Sequence, residues 1–155
     1  MKKTMAVVCS LLLTAALCGS AAAQVANEIQ KTRAEIQKER QTVVAENLGL
    51  TEDEAVAFWP MYRDYRVEMA RAGDRLVKLI TDYAATWDSV SDEKAGQMMN
   101  EYFAIQAEEL AIRKRWAPKF KKILSLKKTA RFFQIENKLD AAIRYELAGV
   151  IPLVK

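Results

Sequence analysis

The sequence predicts an all-α protein of four helices, bent at proline residues and arranged as a long helical hairpin or cradle. Three observations predict this fold class. Apolar residues recur at the three- and four-residue spacing of amphipathic helices along most of the chain. Glycine and proline, which interrupt helices, number only five and three among 155 residues. No alternating β-branched run and no Asn-Gly turn occurs before the C-terminal tail.

The first 23 residues have the features of a cleaved secretory signal peptide. Lys2 and Lys3 precede an apolar stretch over residues 5–18, and three alanines at 21–23 supply the small residues that signal peptidase requires. The stretch is shorter than the roughly 20 residues that span a bilayer, which argues against a membrane anchor. We expect cleavage after Ala23, secretion to the periplasm, and a single helical domain over residues 24–155.

The first helix is expected over residues 25–47, where Ile29, Ile36 and Val43 recur every seven residues. The alternate positions of this seam are arginines, Arg33 and Arg40. So thin an apolar stripe cannot form a stable coiled coil alone. Residues 24–47 are therefore expected either to lie on another helix or another subunit, or to be mobile.

The second helix is expected from Thr51 to about Asp88. Thr51 and Glu54 form the Thr-x-x-Glu pattern of a capping box. Pro60 follows after two turns and should bend the helix, because proline removes a backbone hydrogen bond.

The third helix should begin at Ser91 and bend or break near Pro118. The fourth should run from about Leu126, with Ser125 as its hydroxyl cap just as Ser91 caps the third. It should end at Gly149, since glycine favours the left-handed conformation that terminates helices. Residues 150–155 then form an apolar tail, which Pro152 should keep extended.

Composition excludes most catalytic chemistry. Histidine is absent, and both cysteines, Cys9 and Cys18, lie in the leader. A histidine-dependent catalytic triad, a cysteine nucleophile and the histidine-rich zinc and di-iron motifs therefore cannot be built. No glycine-rich phosphate loop occurs either. We expect a protein that is not an enzyme and that has no cofactor and no metal site.

Charge is distributed unevenly. Removal of the two leader lysines lowers the formal net charge from +4 to +2, but residues 24–111 carry −7 and residues 112–155 carry +9. The basic stretch over 113–122 continues through Lys127, Lys128 and Arg131. Such a stretch suits an anionic envelope surface, or it contacts the acidic half of the same protein or of a second subunit. Nucleic acid is not an expected partner of a secreted protein.

The thirteen aromatic residues allow two interpretations. A four-helix domain could bury most of them in its core. In an open hairpin or cradle, some of them would instead line an exposed apolar patch, which is typical of a binding surface.

Two short segments share one pattern at predicted helix starts: Leu50, Thr51 and Glu54 in the first, and Leu124, Ser125 and Lys128 in the second. On these positions and the leader, the chain resembles the Spy/CpxP family of small periplasmic helical proteins, whose motif is Leu-Thr-x-x-Gln. The first motif copy has Glu at its last position, and the second has Ser and Lys in place of Thr and Gln. The resemblance covers roughly residues 45–148.

This resemblance implies a cradle-shaped homodimer that holds unfolded or partly folded periplasmic proteins without ATP. We expect a chaperone-like, client-binding protein. The alternatives are an envelope-stress regulator that binds one sensor's periplasmic domain, and a structural protein at an anionic membrane surface. The metal-sensing branch of the family relies on histidines that this chain lacks. The candidate client-binding residues are aromatic or basic: Phe58, Trp59, Tyr62, Tyr65, Arg113, Lys114, Arg115, Trp116, Lys119 and Phe120.

Overall fold

A computed structural model describes residues 39–154, together with the single residues 27, 31 and 35. This part of the chain forms four helices and contains no strand, so the predicted all-α class is confirmed. None of the described helices is long and apolar enough to cross a membrane. The signal-peptide prediction and the positions Ile29, Arg33 and Ile36 lie outside the described residues. The helices are α1 (described over 39–48), α2 (Glu52–Ala84), α3 (Asp92–Phe120) and α4 (Leu126–Val150).

Hydroxyl side chains begin the three long helices, as predicted. Thr51 Oγ1 accepts a hydrogen bond from the Glu54 backbone N–H at 3.3 Å, and Glu54 Oε2 accepts one from the Thr51 N–H at 2.8 Å. This is a complete capping box. Ser91 and Ser125 cap α3 and α4 through bonds of 3.3 and 3.2 Å to the backbone N–H three residues later.

Two predicted helix ends are wrong. α2 ends at Ala84, not near Asp88, because the hydroxyl of Thr86 bonds the Asp82 carbonyl at 3.2 Å and the following backbone forms turns. α4 continues through Gly149 to Val150. It ends there because a residue that precedes proline avoids the helical region, and Ile151 is extended, with φ −91° and ψ 114°.

Other helix boundaries follow from glycine and proline. α1 ends at Leu48, and Gly49 has φ +65°, a left-handed conformation that suits glycine best. α2 continues through Pro60. α3 ends at Phe120, two residues after Pro118, which agrees with the predicted break.

Side-chain contacts define how the helices run. Arg75 in α2 pairs with Glu101 and Glu108 in α3, as expected for an antiparallel hairpin. α4 returns antiparallel to α3, since Arg113 pairs with Asp140 while Glu109, one turn earlier in α3, pairs with Arg144, one turn later in α4. α2 and α4 are consequently parallel.

The hydrophobic core lies where the first half of α2, the second half of α3 and the first half of α4 converge. Phe58, Phe120 and Phe132 are fully buried there, and the Phe120 and Phe132 ring centroids are 4.6 Å apart. Val44 and Leu48 of α1 complete this core. Their burial attaches the described part of α1 to the other three helices.

Candidate binding groove

Five of the six aromatic residues assigned to client binding lie in the core. Phe58, Tyr65 and Phe120 have no exposed surface, and Tyr62 and Trp116 are only 4% exposed. The expectation that these five side chains are presented at a surface is therefore wrong.

Ring-on-ring packing explains their burial. Positions 58, 62 and 65 share one face of α2, and Trp116 and Phe120 share one face of α3. The Tyr65 ring lies edge-on to Phe120 at 5.8 Å, and Phe58 lies 5.5 Å from the same ring. Trp59 is partly buried and packs edge-on to Phe58 at 5.1 Å. A small core can thus accommodate many aromatic residues, because rings from three helices fill one layer.

Several basic residues of the C-terminal half contact acids of the N-terminal half. Arg115 pairs with Glu68, and Lys128 Nζ lies 2.5 Å from Glu54 Oε2. These contacts support the intramolecular explanation of the basic stretch for these two residues. The Lys128–Glu54 pair also joins the last positions of the two family-motif copies.

The remaining basic candidates have different surroundings. Arg113 donates to Asp140, which belongs to the basic half itself, and it also lies 3.8 Å from Glu109 of the acidic half. Lys119 lies over the Trp116 ring, with Nζ 3.8 Å from the centroid, a cation–π contact. Lys114 is exposed. The structure therefore does not bring the ten candidate residues together in one surface.

A charged cluster that the sequence did not predict joins all four helices. Glu136 in α4 is 1% exposed and accepts hydrogen bonds of 2.9 Å from Arg40 in α1 and Arg66 in α2. Arg40 also donates to Asp140 at 2.8 Å. Arg40, which in the sequence appeared only to interrupt the apolar stripe of α1, is thus a buried ion-pair partner. Arg113 extends the cluster to α3 through its pair with Asp140.

The electrostatics of this cluster favour the ionised form of Asp140. Burial by itself would raise the pKa of Asp140, but the charges of Arg40 and Arg113 outweigh burial and hold the pKa below its ordinary value. Burial raises the pKa of Tyr62 well above its ordinary value, and the neighbouring Glu136 adds to this effect. Asp140 is therefore a carboxylate near neutral pH, and Tyr62 keeps its hydroxyl proton there.

An open apolar groove lies at the end of the molecule opposite the aromatic core. It has a volume of about 630 Å³. That volume falls within the roughly 300–1,000 Å³ range of ligand sites in proteins. The second half of α2, the first half of α3 and the end of α4 form its walls. Apolar side chains dominate the lining and include Leu76, Leu79, Met98, Met99, Tyr102 and Leu147.

Large apolar side chains remain exposed in and beside the groove. Met99 is 54% exposed and Tyr102 43% exposed, and Phe103, one turn from Met99 on α3, is 58% exposed. Leu110 continues this stripe along α3. Helix faces of this kind are normally covered by a partner. The interpretation that some aromatic residues stay exposed is therefore supported, but for different residues than those chosen from the sequence.

Few polar groups reach the groove. Gln106 lines it, and the Gln106 amide Nε2 is buried with no hydrogen-bond partner among the described residues. Arg144 at the rim donates to Glu109 at 2.5 Å. Within residues 39–154 and the three isolated positions, no group of acidic, histidine or cysteine side chains could hold a metal ion.

Sequence reasoning missed the groove as a site, although its components were visible. The face of α2 that begins at Tyr62 continues through Leu76 to Tyr83, well beyond what the aromatic core covers. The length of that face was the available signal.

Comparison with known proteins gave no match. No protein-family model matches the chain, and no curated protein or solved structure does. The functional argument therefore depends on the groove and on the sequence features described above.

Proposed function

We propose that this is a periplasmic, ATP-independent, chaperone-like protein that binds unfolded or partly folded clients in the apolar groove. The observation that carries this proposal is the open groove itself, which is large, apolar and bordered by exposed side chains such as Met99. Unfolded proteins expose apolar segments that folded proteins bury. A groove of this composition would cover such segments and so lower their tendency to aggregate.

The resemblance to the Spy/CpxP family supports the same proposal. Thr51 and Ser125 both act as helix N-caps, so the two motif copies have equivalent places at the starts of α2 and α4. Glu54 and Lys128, which each replace the glutamine of the motif, form an ion pair with each other, so the two departures are complementary in charge. The proposal includes membership of this family, a homodimeric state and export by the leader.

Suppression of aggregation of a chemically denatured model protein tests the proposed function. The wild-type chain should reduce light scattering at a several-fold molar excess without ATP. Met99→Glu places a charge in the groove at a half-exposed helical position and should weaken suppression without unfolding the protein. Val56→Glu is the matched control, since Val56 is 78% exposed and does not line the groove.

Two results would contradict the proposal: no suppression by the wild-type chain at that excess, or equal weakening by both variants. A pull-down from envelope extracts distinguishes the chaperone proposal from the regulator alternative. Many unfolded partners are expected, whereas one stoichiometric membrane partner would favour a regulator that binds a sensor's periplasmic domain.

A second candidate function is binding at an anionic envelope surface. It is favoured by exposed basic residues near the α3–α4 turn that have no ion-pair partner among the described residues: Lys114, Lys121, Lys122, Lys127 and Arg131. Lys127 lies in the first turn of α4, where the helix dipole disfavours cations unless an anion is bound. Vesicles with anionic lipid should bind the protein at low salt and release it at high salt. No binding at low salt would exclude this candidate.

A further inference from the structure

The C-terminal tail lies on the apolar groove. Ile151 to Val154 contribute to the groove lining after α4 ends at Val150. The Tyr83 hydroxyl donates a hydrogen bond of 2.9 Å to the carbonyl oxygen of Pro152. An extended apolar peptide therefore already occupies part of this site, and one of its backbone carbonyls is recognised by α2.

The tail covers the groove without filling it. Leu153 is 88% exposed and Val154 57% exposed, so their apolar side chains gain little from the contact. Proline has no backbone N–H, so Pro152 can accept but not donate a hydrogen bond. An attachment that consists of one hydrogen bond and a half-buried Ile151 is weak enough to be displaced by a better-fitting segment.

The polar groups in the groove favour a peptide over a hydrocarbon chain. The Tyr83 hydroxyl already bonds a peptide carbonyl. The unpaired amide Nε2 of Gln106 would gain from an acceptor of the same kind. The backbone of an extended peptide supplies carbonyl oxygens at regular intervals, whereas an alkyl chain supplies none.

We infer that the groove binds short extended apolar peptide segments with the chemistry of the Ile151–Val154 tail, and that the tail competes with them. This inference rests on the proposed function, for which it specifies the ligand class. Binding of a client segment requires the tail to leave, so the measured affinity of the full-length chain is reduced by the fraction of molecules whose groove is covered.

Fluorescence anisotropy with a dye-labelled, C-terminally amidated Val-Ile-Pro-Leu-Val peptide tests the inference. The peptide should bind the full-length chain weakly and a chain truncated after Val150 more tightly. If the tail covers the groove in nine of ten molecules, the gain is about tenfold. Ile151→Ser keeps the full chain but removes an apolar tail contact, and it should give a smaller gain. Met99→Glu in the truncated chain should abolish the gain, and a peptide with serine at the apolar positions should not bind.

The outcomes separate this inference from the proposed function. Equal peptide affinity for the full-length, truncated and Ile151→Ser chains would overturn competition by the tail. Binding of a fluorescent fatty acid with no binding of the peptide would overturn the peptide ligand class. In both cases, suppression of aggregation by the wild-type chain would leave the proposed function standing. Failure of that assay, with the peptide bound, would overturn the chaperone proposal alone.

Discussion

At the scale of single residues, Glu136 is the most heavily bonded buried group in the part of the chain described here. It accepts bonds from Arg40, Arg66 and the Tyr62 hydroxyl, which approaches at 3.3 Å. The sequence could not predict this arrangement, because the partners lie 70 to 96 residues away along the chain. From the sequence alone, a charged residue on a helix is assigned to a solvated face. The opposite charge that allows its burial is known only from the tertiary structure.

Neutralising Glu136 should strongly destabilise the fold. Glu136→Gln would leave two arginines without their shared counter-charge, and we expect a loss of about 3 kcal/mol in the free energy of unfolding. Glu101→Gln breaks an ion pair whose two side chains are more than 40% exposed, and it should cost less than about 1 kcal/mol. Urea unfolding of both variants is the measurement. Similar losses of unfolding free energy in the two variants would show that burial of the cluster adds nothing to its stabilising effect.

Two neighbouring tyrosines should respond differently to removal of the hydroxyl. The Tyr65 hydroxyl is buried and has no partner among the described residues, so Tyr65→Phe should leave stability unchanged or raise it. Tyr62→Phe removes the bond to Glu136 and should cost about 1–2 kcal/mol. Thermal or urea denaturation checks both variants. A larger loss for Tyr65→Phe would mean that its hydroxyl has a partner in solution.

Acid should weaken the fold partly through Asp140. The charges of Arg40 and Arg113 hold its pKa below its ordinary value despite burial, while in the unfolded chain it titrates near pH 4. Ionised Asp140 therefore stabilises the fold above about pH 4, and this contribution is lost as pH falls through the lowered pKa.

Asp140→Asn should be less stable at neutral pH and should show a flatter loss of stability below about pH 4. Urea midpoints across that range measure the effect. Asp64→Asn, which removes a carboxylate at an exposed position of α2, is the control variant. An unchanged acid profile in Asp140→Asn would contradict the assigned role of these arginines.

At the scale of elements, the starts of α2, α3 and α4 were predicted correctly, whereas the ends of α2 and α4 were not. A start is a local event, since a hydroxyl and the backbone N–H three residues later suffice. The predicted caps Thr51, Ser91 and Ser125 are accordingly confirmed. An end reflects a competition among nearby signals. At the end of α4 the restriction imposed by Pro152 determines the boundary, and Gly149 remains helical.

Removal of the α2 cap should have a measurable cost. Thr51→Ala deletes the hydroxyl that accepts the Glu54 N–H and should lower stability by about 1 kcal/mol. Thr42→Ala changes an exposed threonine within α1, where alanine is the better helix former, so its midpoint should stay the same or rise slightly. An unchanged midpoint in Thr51→Ala would show that the capping box does not stabilise α2.

At the scale of the whole molecule, the two ends of the helices have different roles. One end holds the aromatic layer and the buried ion pairs, and the other leaves an apolar groove of about 630 Å³. Sequence spacing shows which residues share a helix face but not how closely two faces approach. Five of the six aromatic residues chosen for client binding therefore lie in the core and not at a surface. The groove depends on the spacing of three helices and on the path of the tail, so the length of the α2 face could indicate an uncovered surface but not its shape.

Site-specific photo-crosslinking tests the central claim most directly. A photoreactive amino acid would replace Met99 in the groove, or Val56 at a more exposed site outside it, and each protein would be mixed with a denatured model protein. We predict crosslinks to the unfolded chain from position 99, and their loss when the apolar pentapeptide is added in excess. Crosslinks from position 56 alone, or none from position 99, would contradict the assignment of the groove as the client-binding site.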